Sequence, residues 1–211
     1  MRVLLPLILL LLASGAALAA NQAAGEQPKP ISAREAEQVV TESRDFLTDM
    51  LWMKTEDYWH GGRWDHTIRL CRQIVQVDSH FVEAYTSAAF LLYSTDKDEE
   101  AIDLFRAGMA ANPRNYDLPH EFGMYYCFRH KWDLAVEQFE KSVALGAPRV
   151  MQHMLPVALE RADRLDEALQ RWQEILKRWP DDPIAKGHID RLKMETKRKQ
   201  ARRESPFLQL G

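Results

Sequence analysis

The sequence is short of several things that commonly organise a fold or a reaction centre. Only two of its 211 residues are cysteine, Cys71 and Cys127, so at most one disulfide is chemically possible. There is no Cys-x-x-Cys and no His-x-x-x-His pair, no G-x-S-x-G turn, and no glycine-rich phosphate loop. The formal charge of −3 is too mild to mark a nucleic-acid binder. Beyond residue 20, no apolar run approaches the roughly 17 residues a membrane-spanning helix needs.

What is present begins with a targeting segment. Arg2 is followed by the apolar run Val3 to Leu12, interrupted only by Pro6, and then by the small residues Ala13 to Ala20. Ala17 and Ala19 have the spacing of an A-x-A cleavage site, so residues 1–19 are expected to be a signal peptide, cut after Ala19 or one residue later. The alternative is an uncleaved N-terminal anchor. No cysteine lies near the cut, which argues against lipid attachment there. The mature protein is expected to be periplasmic or secreted in a bacterium, opening on a flexible linker over residues 20–30. Loss of the Arg2 charge moves the formal charge from −3 to −4.

The rest of the chain repeats. Four segments share one design: Trp64–Cys71, Asp98–Phe105, Trp132–Phe139 and Leu165–Trp172. Their small residues Thr67, Ala101, Ala135 and Ala168 are spaced by 34, 34 and 33 residues. Twelve residues after each comes a helix-ending position: Ser79, Pro113, Ala147 and Pro180. A small residue lets paired helices approach, and the large residue one turn later fills the groove between repeats. No single unit can bury its apolar face alone, so stacked neighbours must supply the core.

In this period the chain resembles the tetratricopeptide repeat (TPR) family, whose 34-residue unit is a helix-turn-helix. Phe122-Gly123 with Tyr126, Tyr85 with Ala89, and Gly62 with Trp64 carry the likeness. The resemblance implies an all-α, right-handed α-α superhelix of about four repeats with flanking helices. The TPR domain would span residues 48–180, with units at about 48–81, 82–115, 116–148 and 149–181. An N-terminal helix over 31–47 precedes it, able to run on through Phe46 and Leu47. A C-terminal capping helix over 182–203, opened by Asp182-Pro183, and a tail over 204–211 follow. Two positions depart from the pattern. Thr55 stands where a small residue is usual, and Pro156 lies inside the first helix of the fourth unit, which predicts a kink near Gln152.

The resemblance also implies a concave surface lined by the first helix of each pair. Mapped onto this chain, it consists of Asp49, Trp52, Glu56 and Trp59, then Glu83, Thr86, Phe90 and Tyr93. The third unit adds Asp117, His120, Met124 and Phe128, and the fourth adds His153 and Val157. About half of these are expected to be exposed. Aromatic and Met centres with acidic edges suit an apolar helix or extended peptide. The lysine and asparagine set that clamps a C-terminal carboxylate in chaperone-binding members has no counterpart here.

Other features carry less. His120 with His153, aided by Glu121 or Asp117, is the best metal candidate, but a site needs three or four ligands and none is assigned. Cys71 falls at a core position and Cys127 on the groove side, two repeat layers or about 20 Å apart. Two free thiols are therefore expected. The aromatic run Trp52 to Trp64 reads as a recognition edge, a lid on the first repeat, or both. Arg191, Lys193, Lys197, Arg198, Lys199, Arg202 and Arg203 form a basic helix end, read as solvated or as a weak contact to an anionic envelope surface.

These features order the functional classes. A non-enzymatic scaffold binding a protein or peptide segment in the groove comes first, without cofactor, metal or nucleic acid. A structural, self-assembling envelope component using the end faces or basic helix is second, and a metal-binding or enzymatic protein third.

Overall fold

The computed structural model describes residues 30–204, with side chains described to Arg198. The expected signal segment, the linker up to residue 29 and the tail from residue 205 lie outside the described residues. The chain divides into two compact units after Asp45. In the first, helix α1 (Ala33–His60) begins. A reciprocal capping box sets its start: the Ser32 N–H donates to the Glu35 carboxylate at 2.8 Å, and the Glu35 N–H donates to the Ser32 hydroxyl at 3.2 Å. These two bonds hold the Glu35 carboxyl below its ordinary range. The helix then runs on through Phe46 and Leu47 without a break to His60. No glycine or proline stands in this stretch to stop it.

In the second unit the remainder of α1 is followed by α2 (Trp64–Val77), α3 (Val82–Ser94), α4 (Asp98–Ala111), α5 (Asp117–Phe128) and α6 (Trp132–Ala144). Then come α7 (Arg149–Gln152), α8 (Met154–Arg161), α9 (Leu165–Arg178) and α10 (Pro183–Glu204). No strand occurs among the described residues. From α2 onward successive helices pack on one another, and α3 also packs on α5 and α6 on α8.

The repeat reappears in the backbone. Positive φ occurs at Gly62, Asp96, His130 and Asp163, spaced by 34, 34 and 33 residues. At each, the first helix of a pair closes in a Schellman motif. The N–H groups of Arg63, Lys97, Lys131 and Arg164 reach back to the carbonyls of Tyr58, Leu92, Tyr126 and Leu159 at 2.8–2.9 Å. Only the first of these left-handed positions is glycine. Asp and His tolerate it at the others because the motif satisfies two otherwise orphaned carbonyls. Each second helix then starts with an acid in its first turn, at Asp65, Asp98, Asp133 and Asp166, complementing the helix dipole.

The small positions Thr67, Ala101, Ala135 and Ala168 are completely buried, and Cys71, Phe105, Phe139 and Trp172 follow one turn later with at most 1% exposure. On the first helices the tightest approach is at Gly123, where an added Cβ would lie 2.6 Å from the Phe139 ring. Thr55, the irregular residue of the first repeat, is buried and donates its hydroxyl to the Leu51 carbonyl at 2.9 Å, so its polar atom costs little. Pro156 breaks the fourth repeat's first helix at His153, one residue past Gln152. A proline has no N–H to return to the carbonyl four residues back.

Candidate functional site

The ends of the first helices bring aromatic side chains into a continuous run. Trp59 on α1 meets Trp64 at 5.5 Å between ring centroids and Phe90 on α3 at 6.0 Å. Phe90 meets Tyr93 at 5.4 Å, and Tyr93 meets Phe128 on α5 at 5.6 Å. Tyr93 is buried and backs the run, whereas Phe90 and Phe128 keep 45% and 58% of their surface in solvent. Rings of this size are normally covered, and holding two of them open on neighbouring repeats creates a large apolar contact area.

Beside the rings lies an open recess of about 440 Å³, lined by Trp59, Val82, Glu83, Thr86, Ser87, Phe90, Asp117 and Glu121. The recess is acidic. Glu121 is half-buried, and burial, with Asp117 nearby, pushes its carboxyl above the ordinary range. Burial and then the Glu121 charge likewise raise the Tyr93 phenol.

Of the fourteen surface residues expected from the sequence, Asp49, Glu56, Glu83, Phe90 and Phe128 are exposed. Trp52, Trp59, Thr86, Asp117, Met124 and Val157 are half-buried. Tyr93, His120 and His153 are buried. The recess gathers Trp59, Glu83, Thr86, Phe90 and Asp117 from three first helices, whereas Trp52 turns away to pack on Phe81 at 5.2 Å. His120 packs against Phe139 at 5.4 Å, and burial pushes its pKa down. Sequence reasoning left Glu121, Val82 and Ser87 out of the surface. Glu121 was legible, because it lies one turn beyond Asp117 on the same face of α5.

Helix pairs stacked through periodic small residues also describe other proteins of known structure. A thermophilic TPR protein of Thermus thermophilus aligns over 70% of this chain and 81% of its own, with a TM-score of 0.52 at 18% identity. PilF of Pseudomonas aeruginosa aligns over 74% of this chain and 72% of its own, with a TM-score of 0.58 at 13% identity. The fold is that of a tetratricopeptide-repeat solenoid. YrrB, described as a TPR protein with an unusual peptide-binding site, aligns over 68% of this chain and 74% of its own, with a TM-score of 0.52 at 18% identity. Among curated proteins, Protein bimA of Emericella nidulans is 22% identical over 103 residues. That match covers 48% of this chain and only 13% of the length of bimA. No protein-family profile matches the chain.

The TPR solenoid contains a second polar cluster, at its C-terminal end. Glu160, at the end of α8, accepts hydrogen bonds from Trp172 Nε1 at 2.7 Å and from Arg191, and lies 2.7 Å from His188 Nδ1. Burial alone would raise the Glu160 carboxyl, but bonds from Trp172, His188 and Arg191 outweigh it and hold the pKa low. Asp182 accepts the N–H groups of Ile184 and Ala185, each at 3.0 Å, and its other oxygen lies 2.9 Å from His153 Nε2. Its burial is outweighed in the same way, chiefly by the Ala185 N–H and His153, so this carboxyl is also low. Trp172 lies between the two histidines, 5.5 Å from the His153 ring and stacked on His188 at 4.3 Å. The cluster fastens α10 to α8 and α9. Its partners are 12 to 31 residues apart and have no spacing signature, so the sequence did not reveal it.

The thiols offer little chemistry. Cys71 and Cys127 are both free. Burial pushes their pKa values to about 12 and about 11, so neither is a thiolate at neutral pH. Among the described residues, no group of three or more His, Cys, Asp or Glu could hold a metal ion. No described helix is long and apolar enough to cross a membrane.

Proposed function

We propose that this protein is a non-enzymatic interaction scaffold of the bacterial envelope, whose first-helix surface seats a segment of a partner protein. The observation that carries the reading is the linked run Trp59, Phe90, Tyr93 and Phe128, with Phe90 and Phe128 open to solvent. Rigid aromatic rings supply binding area at little entropic cost, which is why they dominate interaction hot spots. The TPR architecture supports protein binding in general, and the peptide-binding site of the similarly folded YrrB supports a peptide in particular. Envelope location rests on the N-terminal segment, with cleavage after Ala19. N-terminal sequencing of the protein recovered from its native cell tests that part, and a retained Met1 would leave an anchored protein instead.

Replacing Phe90 by Asp puts a charge in the centre of the run and takes from the core the ring's contact with Tyr93. Affinity capture from the native cell with the wild-type and Phe90→Asp proteins should lose the dominant partner in the variant. Full retention by a folded variant would sink the groove reading.

Self-assembly through an end face is a second reading, favoured by one observation. Phe46, Leu47, Met50 and Met53 on α1 are 68%, 45%, 41% and 57% exposed. A strict monomer in sedimentation at high concentration would remove it.

A further inference from the structure

The acidic recess beside the aromatic run contains carboxylates that no cationic side chain pairs: Glu83 and Asp117 have only their places in the first turns of their helices and, for Asp117, the Asn115 amide at 3.5 Å. Three carboxylates line it: Glu83 from α3, and Asp117 and Glu121 from α5. No lysine or arginine lines it, and among the described residues none of the three has an ion-pair partner. The nearest base on α5, His120, is buried with a lowered pKa and so carries no positive charge at pH 7. Glu56 on α1 already faces His60 at 3.6 Å. Elsewhere in the molecule, carboxylates bridge between repeats to arginines, as Glu100 does with Arg72 at 2.5 Å and Asp98 with Arg129 at 2.8 Å. The half-buried Glu121 is the costly one, since a carboxylate withdrawn from water without a counter-charge is destabilising.

The recess is also lined by two aromatic rings. Trp59 and Phe90 stand 6.0 Å apart and both line it. An aromatic face attracts a cation and also packs against the methylene stem that carries it. Carboxylates and aromatic rings lining one recess are complementary to the head and stem of a lysine or arginine side chain.

We propose that the partner segment is basic as well as apolar, and that it inserts a lysine or arginine side chain into this recess while its apolar residues cover Phe90 and Phe128. This rests on the groove reading given above. Calorimetry of the mature protein against acetylated hexapeptides that alternate leucine with lysine, glutamine or glutamate tests it. At low salt the lysine peptide is expected to bind about tenfold tighter than the glutamine peptide, and the glutamate peptide most weakly, with the preference shrinking as salt rises. Glu121→Gln and Glu83→Gln should each cut the lysine-over-glutamine preference severalfold. Glu83 is exposed, so that variant guards against a folding defect in the other. Glu99→Gln, on the exposed side of α4, controls for overall charge and should change nothing. Equal binding of the lysine and glutamine peptides, or an undiminished preference in both recess variants, would overturn the charge assignment while leaving the groove standing. Equal binding of all three peptides to wild type and Phe90→Asp would overturn the groove reading as well.

Discussion

The two ends of the second unit solve the same problem in opposite ways. A solenoid must do something with the apolar face that its terminal repeat would otherwise present to another repeat. At the C-terminal end, α10 buries Ala185, Ile189 and Leu192, and the Glu160 and Asp182 networks lock it in place. At the N-terminal end, α1 leaves Phe46, Leu47, Met50 and Met53 in solvent. Long aromatic side chains make its contacts with the following helices, Trp52 on Phe81 and Trp59 on Phe90. One end is closed by apolar burial plus charge-assisted hydrogen bonds, whereas the other is held by ring contacts, Leu51 and the buried Thr48 and Thr55, and keeps an apolar face open. Ordered structure is therefore expected to persist longest at the C-terminal end, and new partners to be met elsewhere.

The largest effect should come from removing the keystone of the closed end. Trp172→Ala deletes a completely buried indole and the donor to Glu160, and should cost about 4 kcal/mol in urea unfolding. A loss below about 1 kcal/mol would mean that α10 is not fastened through this side chain.

The charged half of the lock should also make the closed end acid-sensitive. The folded pKa values of Glu160 and Asp182 lie below the ordinary 4.5 and 3.8. Their stabilisation is thus fully present above those values and lost as pH falls through them toward the folded values. Hydrogen exchange should show α10 loosening below about pH 4 before α4 does. Glu160→Gln should remove about 2 kcal/mol at pH 7 and blunt this acid response. Simultaneous loosening of both helices would place the acid-labile contacts elsewhere.

Between the ends, Gly123→Ala would drive a Cβ into the buried Phe139 ring, so it should destabilise by about 1–2 kcal/mol despite the better helix propensity of alanine. The smallest effect is expected at the open end. Phe46→Lys and Met53→Lys should each change stability by no more than about 0.5 kcal/mol, because neither side chain is covered. A loss of about 2 kcal/mol from either would show that the face is occupied in solution, by a second copy if the loss grows with protein concentration.

Much of this architecture was legible because the packing is periodic. The spacing that ties Thr67 to Ala101, Ala135 and Ala168 is the same spacing that places the left-handed turns at Gly62, Asp96, His130 and Asp163. A single repeat geometry dictates both. The break at His153 was legible for a different reason, the missing N–H of Pro156. What periodicity could not supply was depth. Trp52, Thr86, His120 and His153 occupy equivalent positions, yet the first two are half-buried and the last two buried. Burial there depends on the bulk of the neighbouring repeat, and His153 is drawn inward by Asp182, a residue outside the repeat pattern. The Glu160 lock was invisible for the same reason.

Function turns on whether the aromatic run on the first helices is where another protein binds. Photocrosslinking in the native cell, with a photoreactive residue at position 90 or 124 and a matched one at position 53 on the open end, tests this directly. One dominant crosslinked protein from positions 90 and 124, absent from position 53, is the predicted result. Crosslinks from position 53 alone would contradict it and move the binding function to the end of the solenoid.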